Sequence, residues 1–324
     1  YQAFVVPAQN SEVEFKHNQQ TQQGMEELRS ALVAAGDGST RPVSISLGTR
    51  YPSRLVALNP GPPTGSLRTV GTQDHRVRAW LNDTEATGEV RDFWGGRDRA
   101  VTTGALSYQP NYNEYRSAPT TVYASTVLYN QFRDTDVALS GQQLIQGDRI
   151  NLVTLNGSLD VSQSGTVSVD PQPVSASSRA ITVTNAPGES ITVSVPTRLS
   201  KAEWDELLAG QPYVTNTAID PIDRTAFQWL RVTLEQGREY ELKMARVGVG
   251  QNVRDPSAAY MTDVVGNDSD VPAGGTRQVA VEVRDRFNNP VNGVRVWADT
   301  ALGGSSVSPG SKTTNAAGRA TFQY

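Results

Sequence analysis

The stretch Pro42-Val43-Ser44-Ile45-Ser46-Leu47 decides how the chain is read. Val43, Ile45 and Leu47 alternate with Ser44 and Ser46. A strand points successive side chains to opposite faces, so this period of two marks a strand with one buried face. The pattern returns at Val167–Val169, Ile181–Val183 and Ile191–Val195. Between the last two, Asn185-Ala-Pro-Gly-Glu189 reads as a hairpin loop. Leu230–Leu234 and Tyr240–Met244 read as a second hairpin, closed by Glu235–Glu239 with Gly237 supplying a positive φ. Strands this dense, without helices between them, predict antiparallel sandwiches and not a parallel α/β sheet.

Composition agrees with that reading. The chain has 324 residues, enough for two or three domains, with 28 Gly and 18 Pro to serve many turns. Its net charge is −4 and no Lys/Arg cluster stands out, so nucleic acid is not an expected partner. Cys is absent, which removes disulfides, thiolate metal sites, Fe–S clusters and Cys nucleophiles. Two histidines, His17 and His75, leave little for zinc, haem or a Ser-His-Asp triad. The basic residues are nearly all Arg; only Lys16, Lys201, Lys243 and Lys312 are Lys. That usage fits a GC-rich genome or a salt-adapted surface.

Two helices are expected. The first spans about 11–35, with Ser11 as its cap, Glu12 and Glu14 in the first turn, and Met25, Leu28, Leu32 and Ala35 along one face. Gly36 offers the stop. The amide-rich middle, 18–23, reads either as a solvated stem or as a polar packing face. The second helix starts at Ser200, whose pairing with Glu203 makes a capping box, and ends at Gly210. Trp204, Leu207 and Leu208 give it an apolar side, expected to plug one end of a sandwich.

Few residues suggest chemistry. Tyr108, Tyr112, Tyr115, Tyr123 and Tyr129 cluster with Asn111 and Asn113. Tyr joins a flat apolar body to a wet hydroxyl, so such a cluster suits a sugar platform or an interface, though strand packing also explains it. Glu85 with Glu89, or Asp134 with Asp136, could serve a glycosidase, but solvated loop charge accounts for them better. Asp263, Asn267, Asp268 and Asp270 offer oxygen ligands to calcium without the Glu that closes an EF-hand loop. Asn82, Asn156 and Asn267 each begin an Asn-x-Ser/Thr sequon. Chance alone gives about as many, so only an extracellular setting would make them glycan acceptors.

The end of the chain carries the most specific pattern. Asp270-Val-Pro-Ala-Gly-Gly-Thr276 leads to Val279–Val283. Asp285, Asn288-Asn-Pro-Val291 and Gly293-Val-Arg-Val-Trp297 follow, and Thr314-Asn-Ala-Ala-Gly318 precedes Phe322-Gln-Tyr324. This ordered set resembles the Big-1-type bacterial Ig-like domain of invasin- and intimin-like and archaeal surface proteins. Such domains continue past the strand that ends here at Tyr324. The resemblance therefore implies that the chain continues or that a neighbour supplies the last strand. The remainder resembles a family of haloarchaeal secreted surface proteins, through Val5-Val-Pro-Ala-Gln-Asn10, Glu12–Asn18, Leu47-Gly-Thr-Arg-Tyr-Pro52, Asn59-Pro-Gly-Pro-Pro63 and Tyr108–Tyr115. Members begin with a pilin-like hydrophobic helix. That implies that Tyr1 ends a membrane or filament-core helix and that membrane contact is made only through a segment before it.

The expected fold is mainly β. It has an N-terminal helical stem over 1–37, antiparallel sandwiches over 38–257 with one short inserted helix and a break near 156–170, and an Ig-like sandwich over 258–324. The expected function is that of an extracellular structural or adhesive surface protein without catalysis or cofactor, a subunit of a pilus-like filament among the options. Its partners would be copies of itself, neighbouring surface proteins or glycans. The alternative is a carbohydrate-binding ectodomain using the Tyr/Asn stretch, with a secreted glycoside hydrolase third.

Overall fold

The computed structural model describes residues 2–53, 59–96, 98–176, 179–267, 270–272, 274–300 and 306–324, with side chains from residue 6 onward. The chain is mainly β, with one long helix at its N-terminus and one short helix inserted among antiparallel sheets.

Helix α1 runs over Gln2–Gly36 and is about 52 Å long at 1.5 Å per residue. It begins well before the expected cap, so Ser11 lies inside it and Pro7 costs it one interior hydrogen bond. The stop also moves: Gly38, with φ +93°, takes the left-handed position, and the Ser39 N–H reaches back to the Ala34 carbonyl. The reason for the early start is a single buried stripe. Asn10, Glu14, His17 and Thr21 are buried along one face, and Met25, Leu28, Leu32 and Ala35 continue it at the same spacing. The amide-rich segment is both: Asn18 and Thr21 pack inward, while Gln19, Gln20 and Gln23 are exposed.

Three larger sheets form the body. The tyrosine sheet orders its strands as Asp160–Gln163, Thr64–Val70, Ala105–Asn111, Thr120–Ala124, Val127–Gln131 and Asp136–Ala138. The tryptophan sheet runs Val214–Pro221, Gln228–Leu234, Thr192–Thr197, Arg78–Asn82 and Arg99–Thr102. The mixed sheet runs Ile145–Gln146, Arg149–Asn156, Tyr240–Gly248, Ile181–Asn185 and Thr84–Ala86, with Gln172–Ser175 also pairing Tyr240–Gly248. Its Arg149–Asn156 and Tyr240–Gly248 strands are parallel, an exception to the expected antiparallel pairing. A small sheet pairs Val43–Ser46 with Thr166–Val169.

Both expected hairpins are instead arches between sheets. Ile181–Asn185 belongs to the mixed sheet and Thr192–Thr197 to the tryptophan sheet; Gln228–Leu234 and Tyr240–Gly248 divide the same way. Leu230, Val232, Leu234, Tyr240, Leu242 and Met244 all enter one core. The two strands of each arch face each other across apolar side chains, where hairpin strands would share backbone hydrogen bonds. Gly237 does take a positive φ, +74°, and its N–H donates to Asn185 Oδ1 at 2.8 Å, tying one arch to the other.

The second core lies under α1. Met25, Leu28, Leu32 and Ala35 meet Val43, Ile45 and Leu47 of the small sheet and Leu67, Leu106, Tyr108, Tyr123 and Leu128 of the tyrosine sheet. The segment near 156–170 is not a break. Its two strands pair with Thr64–Val70 and Val43–Ser46 and stitch this core together. Helix α2, Lys201–Leu208, has the expected capping box, and Trp204 and Leu208 enter the first core. Trp204 Nε1 donates to Thr197 Oγ1 at 2.9 Å.

The C-terminal module has a three-stranded antiparallel sheet, Ala258–Val265, Gln278–Asp285 and Arg319–Gln323, and a two-stranded one, Arg295–Trp297 and Ser311–Thr313. Val283, Val296, Ala320 and Phe322 form its small core. Phe287 leaves that module and is buried in the core of the body.

Leu32, fully buried under the helix, sets the strength of the second core. Leu32→Ala is expected to cost about 2–5 kcal/mol in chemical denaturation, while Gln20→Ala, at an exposed position of the same helix, stays within about 0.5 kcal/mol.

Candidate functional site

The Tyr/Asn stretch divides into two populations. Tyr108 and Tyr123 are buried in the core under α1, and Tyr129 in the core of the body, so none of the three offers a ring to solvent. This corrects the expectation of a sugar platform at Tyr108 and Tyr123. Tyr112 and Tyr115 are half-buried and lie against the helix. Their rings stack at 6.1 Å, Tyr115 meets Phe15 edge to face at 5.5 Å, and Tyr112 meets His17 likewise at 5.7 Å.

The centre of this contact is Glu14. Its carboxylate accepts from the backbone N–H of Asn113 at 2.8 Å, Glu114 at 2.9 Å and Tyr115 at 2.6 Å. It also accepts from the Tyr51 hydroxyl. Burial, then the bond to Glu14, pushes the Tyr51 phenol up to about 12, so it stays a donor at neutral pH. Asn113 Nδ2 closes the ring by donating to Tyr51 Oη and the Gly61 carbonyl, both at 2.9 Å. A buried carboxylate without such partners would be strongly unfavourable. Here its charge fixes the conformation of a loop.

One turn along α1, His17 Nδ1 lies 2.6 Å from the Tyr112 hydroxyl and Nε2 lies 3.3 Å from Ser46 Oγ. Burial pulls the His17 imidazole below its usual range and raises the Tyr112 phenol. The pair is therefore neutral near pH 7. Thr21 Oγ1 donates to the Ser46 carbonyl at 3.0 Å, and the Tyr108 hydroxyl to the Leu47 carbonyl at 3.1 Å. The cluster has the polarity of an active site, yet its polar atoms bond the helix, the loop and the small sheet to one another.

A second polar centre joins the C-terminal module to the body. It is built by the Asp285–Pro290 turn. Asp285 Oδ1 accepts from the N–H groups of Phe287 at 2.7 Å and Asn289 at 3.1 Å, which shapes the turn. Its other oxygen accepts from Ser175 Oγ at 2.7 Å. Asn289 Nδ2 donates to Ser175 Oγ at 2.8 Å and to the Met244 carbonyl at 2.9 Å. Asn288 Oδ1 accepts from Trp94 Nε1 at 2.5 Å and from the Tyr260 hydroxyl at 3.0 Å. Tyr260 stacks on Phe93 at 4.3 Å. Nearby, the fully buried Glu282 carboxylate meets Arg284 at 2.9 Å, Arg319 at 3.1 Å and Arg179 of the body at 3.2 Å. Burial raises the Glu282 carboxyl, but the bonds to Arg319 and Arg284 and the nearby Arg179 outweigh it and hold it below its ordinary range.

The remaining candidates scatter. Asn156 is buried, and its Oδ1 accepts from the Arg254 N–H at 2.8 Å, so a glycan there is incompatible with this fold. Asn82 is half-exposed on the outer face of the tryptophan sheet, and Asn267 is exposed at a turn. Asp268 lies outside the described residues; Asp263 and Asp270 lie on either side of that turn, and among the described residues no acidic or His cluster has metal-binding geometry. Burial, then Glu203, pushes the Asp136 carboxyl up to about 6, but Glu203 itself is held by the capping box of α2. Among the described residues no helix is long and apolar enough to cross a membrane.

No family model matches the chain. An uncharacterised protein of Archaeoglobus fulgidus is 24% identical over 308 residues, which is 94% of this chain and 50% of that protein. The chain thus spans about half the length of this relative. The matched stretch is too long to leave out the helix, the body or the C-terminal module entirely.

Three measurements test the polar centres. Glu14→Gln keeps the volume but removes the charge that three N–H groups share, and is expected to cost about 1.5–3 kcal/mol in denaturant unfolding. His17 adds a pH dependence. Its folded-state pKa lies below the unfolded value of about 6.5, so stability falls as pH drops below that value. His17→Asn should flatten that limb of the stability curve. At the other centre, Asn289→Ala leaves the buried Met244 carbonyl without its Asn289 donor. Hydrogen exchange should rise in 278–285 and 319–323 while the strands at 228–234 remain protected.

Proposed function

We propose that the chain is an extracellular structural or adhesive surface protein that works through shape and contacts, with assembly into a filament as one form of that role. The observation that carries the reading is where the buried acids are used. Glu14 fastens the long helix to the tyrosine sheet, and Glu282 and Asp285 fasten the C-terminal module to the body. Each carboxylate has its lone pairs occupied by partners of the scaffold, which suits a stiff spacer better than a reaction centre. The resemblance of the C-terminal segment to Ig-like modules of surface proteins supports the same reading, as does the resemblance of the N-terminal segment to secreted haloarchaeal proteins.

Immunogold electron microscopy of intact source cells and their shed material, at the salt of growth, tests this. The expected result is label on the cell exterior, either along regular filaments or on isolated projections. Label confined to the interior of sectioned cells, with none outside, would overturn the proposal.

A further inference from the structure

Three segments meet at one end of the tryptophan sheet. The Arg78–Asn82 and Gln228–Leu234 strands begin there, and the Thr192–Thr197 strand ends between them. The turns that lead into the first two strands, together with Arg198 just past the third, line one cleft of about 640 Å³.

The charged lining of this cleft is one-sided. Arg76, Arg198 and Arg224 stand against a single carboxylate among the described residues, Asp74. Asp74 is committed to Arg76: its Oδ2 accepts from Nη2 at 2.7 Å and its Oδ1 from Nε at 2.9 Å. The guanidinium groups of Arg198 and Arg224 make no ion pair or hydrogen bond among the described residues. Asp136 feels the Arg198 charge without pairing with it, and lines a different cleft. Two positive charges are therefore left uncompensated on one wall system of a chain whose net charge is −4.

Arg198 is also held in place. It is half-buried, and its guanidinium carbon lies 4.8 Å from the centroid of the buried Phe227 ring. Stacking covers one face of the planar group and leaves its N–H edge to donate in the plane. A cation fixed in a cleft projects a stronger field on a ligand than a mobile one on open surface, because less water screens it.

We propose that this cleft binds a ligand through an oxyanion, a sulfate, phosphate or carboxylate. The fork of a guanidinium matches two oxygens of such a group at once. Arg198 is the fixed anchor and the exposed Arg224 closes from the rim. Gln73 and Ser158 line the same cleft and add neutral donors. The cleft is much larger than a bare sulfate, so it also admits the sugar that carries a uronate or a sulfate ester. A nucleic-acid backbone fits poorly, because two uncompensated arginines neutralise too few phosphates for such binding. The site does not rest on the role proposed above.

The test titrates the whole chain by calorimetry at low ionic strength with sodium sulfate, with sodium phosphate and with a glucuronate-containing oligomer. One site per chain is expected, weakened by added sodium chloride. Arg198→Gln should weaken binding about ten-fold or more and Arg224→Gln several-fold, while Arg149→Gln, outside the cleft and paired with Glu241, should leave it unchanged. Arg224 is exposed, so its variant should keep the wild-type melting temperature, and it decides the case if Arg198→Gln fails to fold. Tighter binding of the oligomer than of the inorganic ions supports the proposal with an acidic glycan as the source; the reverse order supports it with a free oxyanion. No saturable binding of any of the three, affinity unchanged in Arg224→Gln, or an equal loss in Arg149→Gln would each overturn it.

Discussion

The structure depends first on where Glu14 places its charge. A carboxylate taken out of water is tolerated only when its lone pairs are filled, and here three consecutive N–H groups and a phenol fill them. That requirement fixes two things together. The loop around 113–115 must turn its amides toward the helix, and the helix must stand at one height and one rotation. A slip of one residue would carry Glu14 about 100° around the axis, away from every donor. With Glu14 set, His17 and Thr21 fall opposite Ser46, and Met25, Leu28 and Leu32 fall over the small sheet. The polar half of the stripe thus sets the register in which the apolar half packs.

The other end of the molecule solves the same problem with the same chemistry. The Asp285 carboxylate shapes its own turn with one oxygen and holds Ser175 with the other. Phe287, at the tip of that turn, is carried into the body core. Burial raises the Asp285 carboxyl, and its bonds to Ser175, Asn289 and Phe287 oppose that rise. The consequence is a C-terminal module that shares side chains with the body and is not strung beyond it on a free linker. Stiffness across that junction comes from hydrogen bonds whose geometry admits one orientation.

Much of this was legible in the residues, for physical reasons that also explain the misreadings. Alternation at Val43–Leu47 and Ile191–Val195 reports burial of one strand face, and both strands are present. It does not report which strand is the neighbour, so Leu230–Leu234 and Tyr240–Met244 read equally well as a hairpin or as an arch across a core. The capping box at Ser200 and Glu203 is a local arrangement and survived intact. The start of α1 did not, because a helix face made of Asn10, Glu14, His17 and Thr21 looks solvated until its partners are known. Those partners are about 95–100 residues away for His17 and Glu14. The Asp285–Pro290 pattern announced a turn, which is local, and concealed a docking surface, which is not. Arg198 and Arg224 gave no signal, since arginines far apart in sequence become a feature only when strand pairing brings their turns together.

A few buried polar atoms are left without partners. Tyr123 and Tyr129 have hydroxyls without partners, and both rings lie in closed cores where nothing can reach them. Their cost is part of packing a large aromatic in the interior. Ser194 Oγ and Trp229 Nε1 are enclosed in the same way beneath the outer face of the tryptophan sheet. The residues at this face are costly by the standard that the Glu14 and Asp285 centres set, where the carboxylate oxygens find donors within the chain.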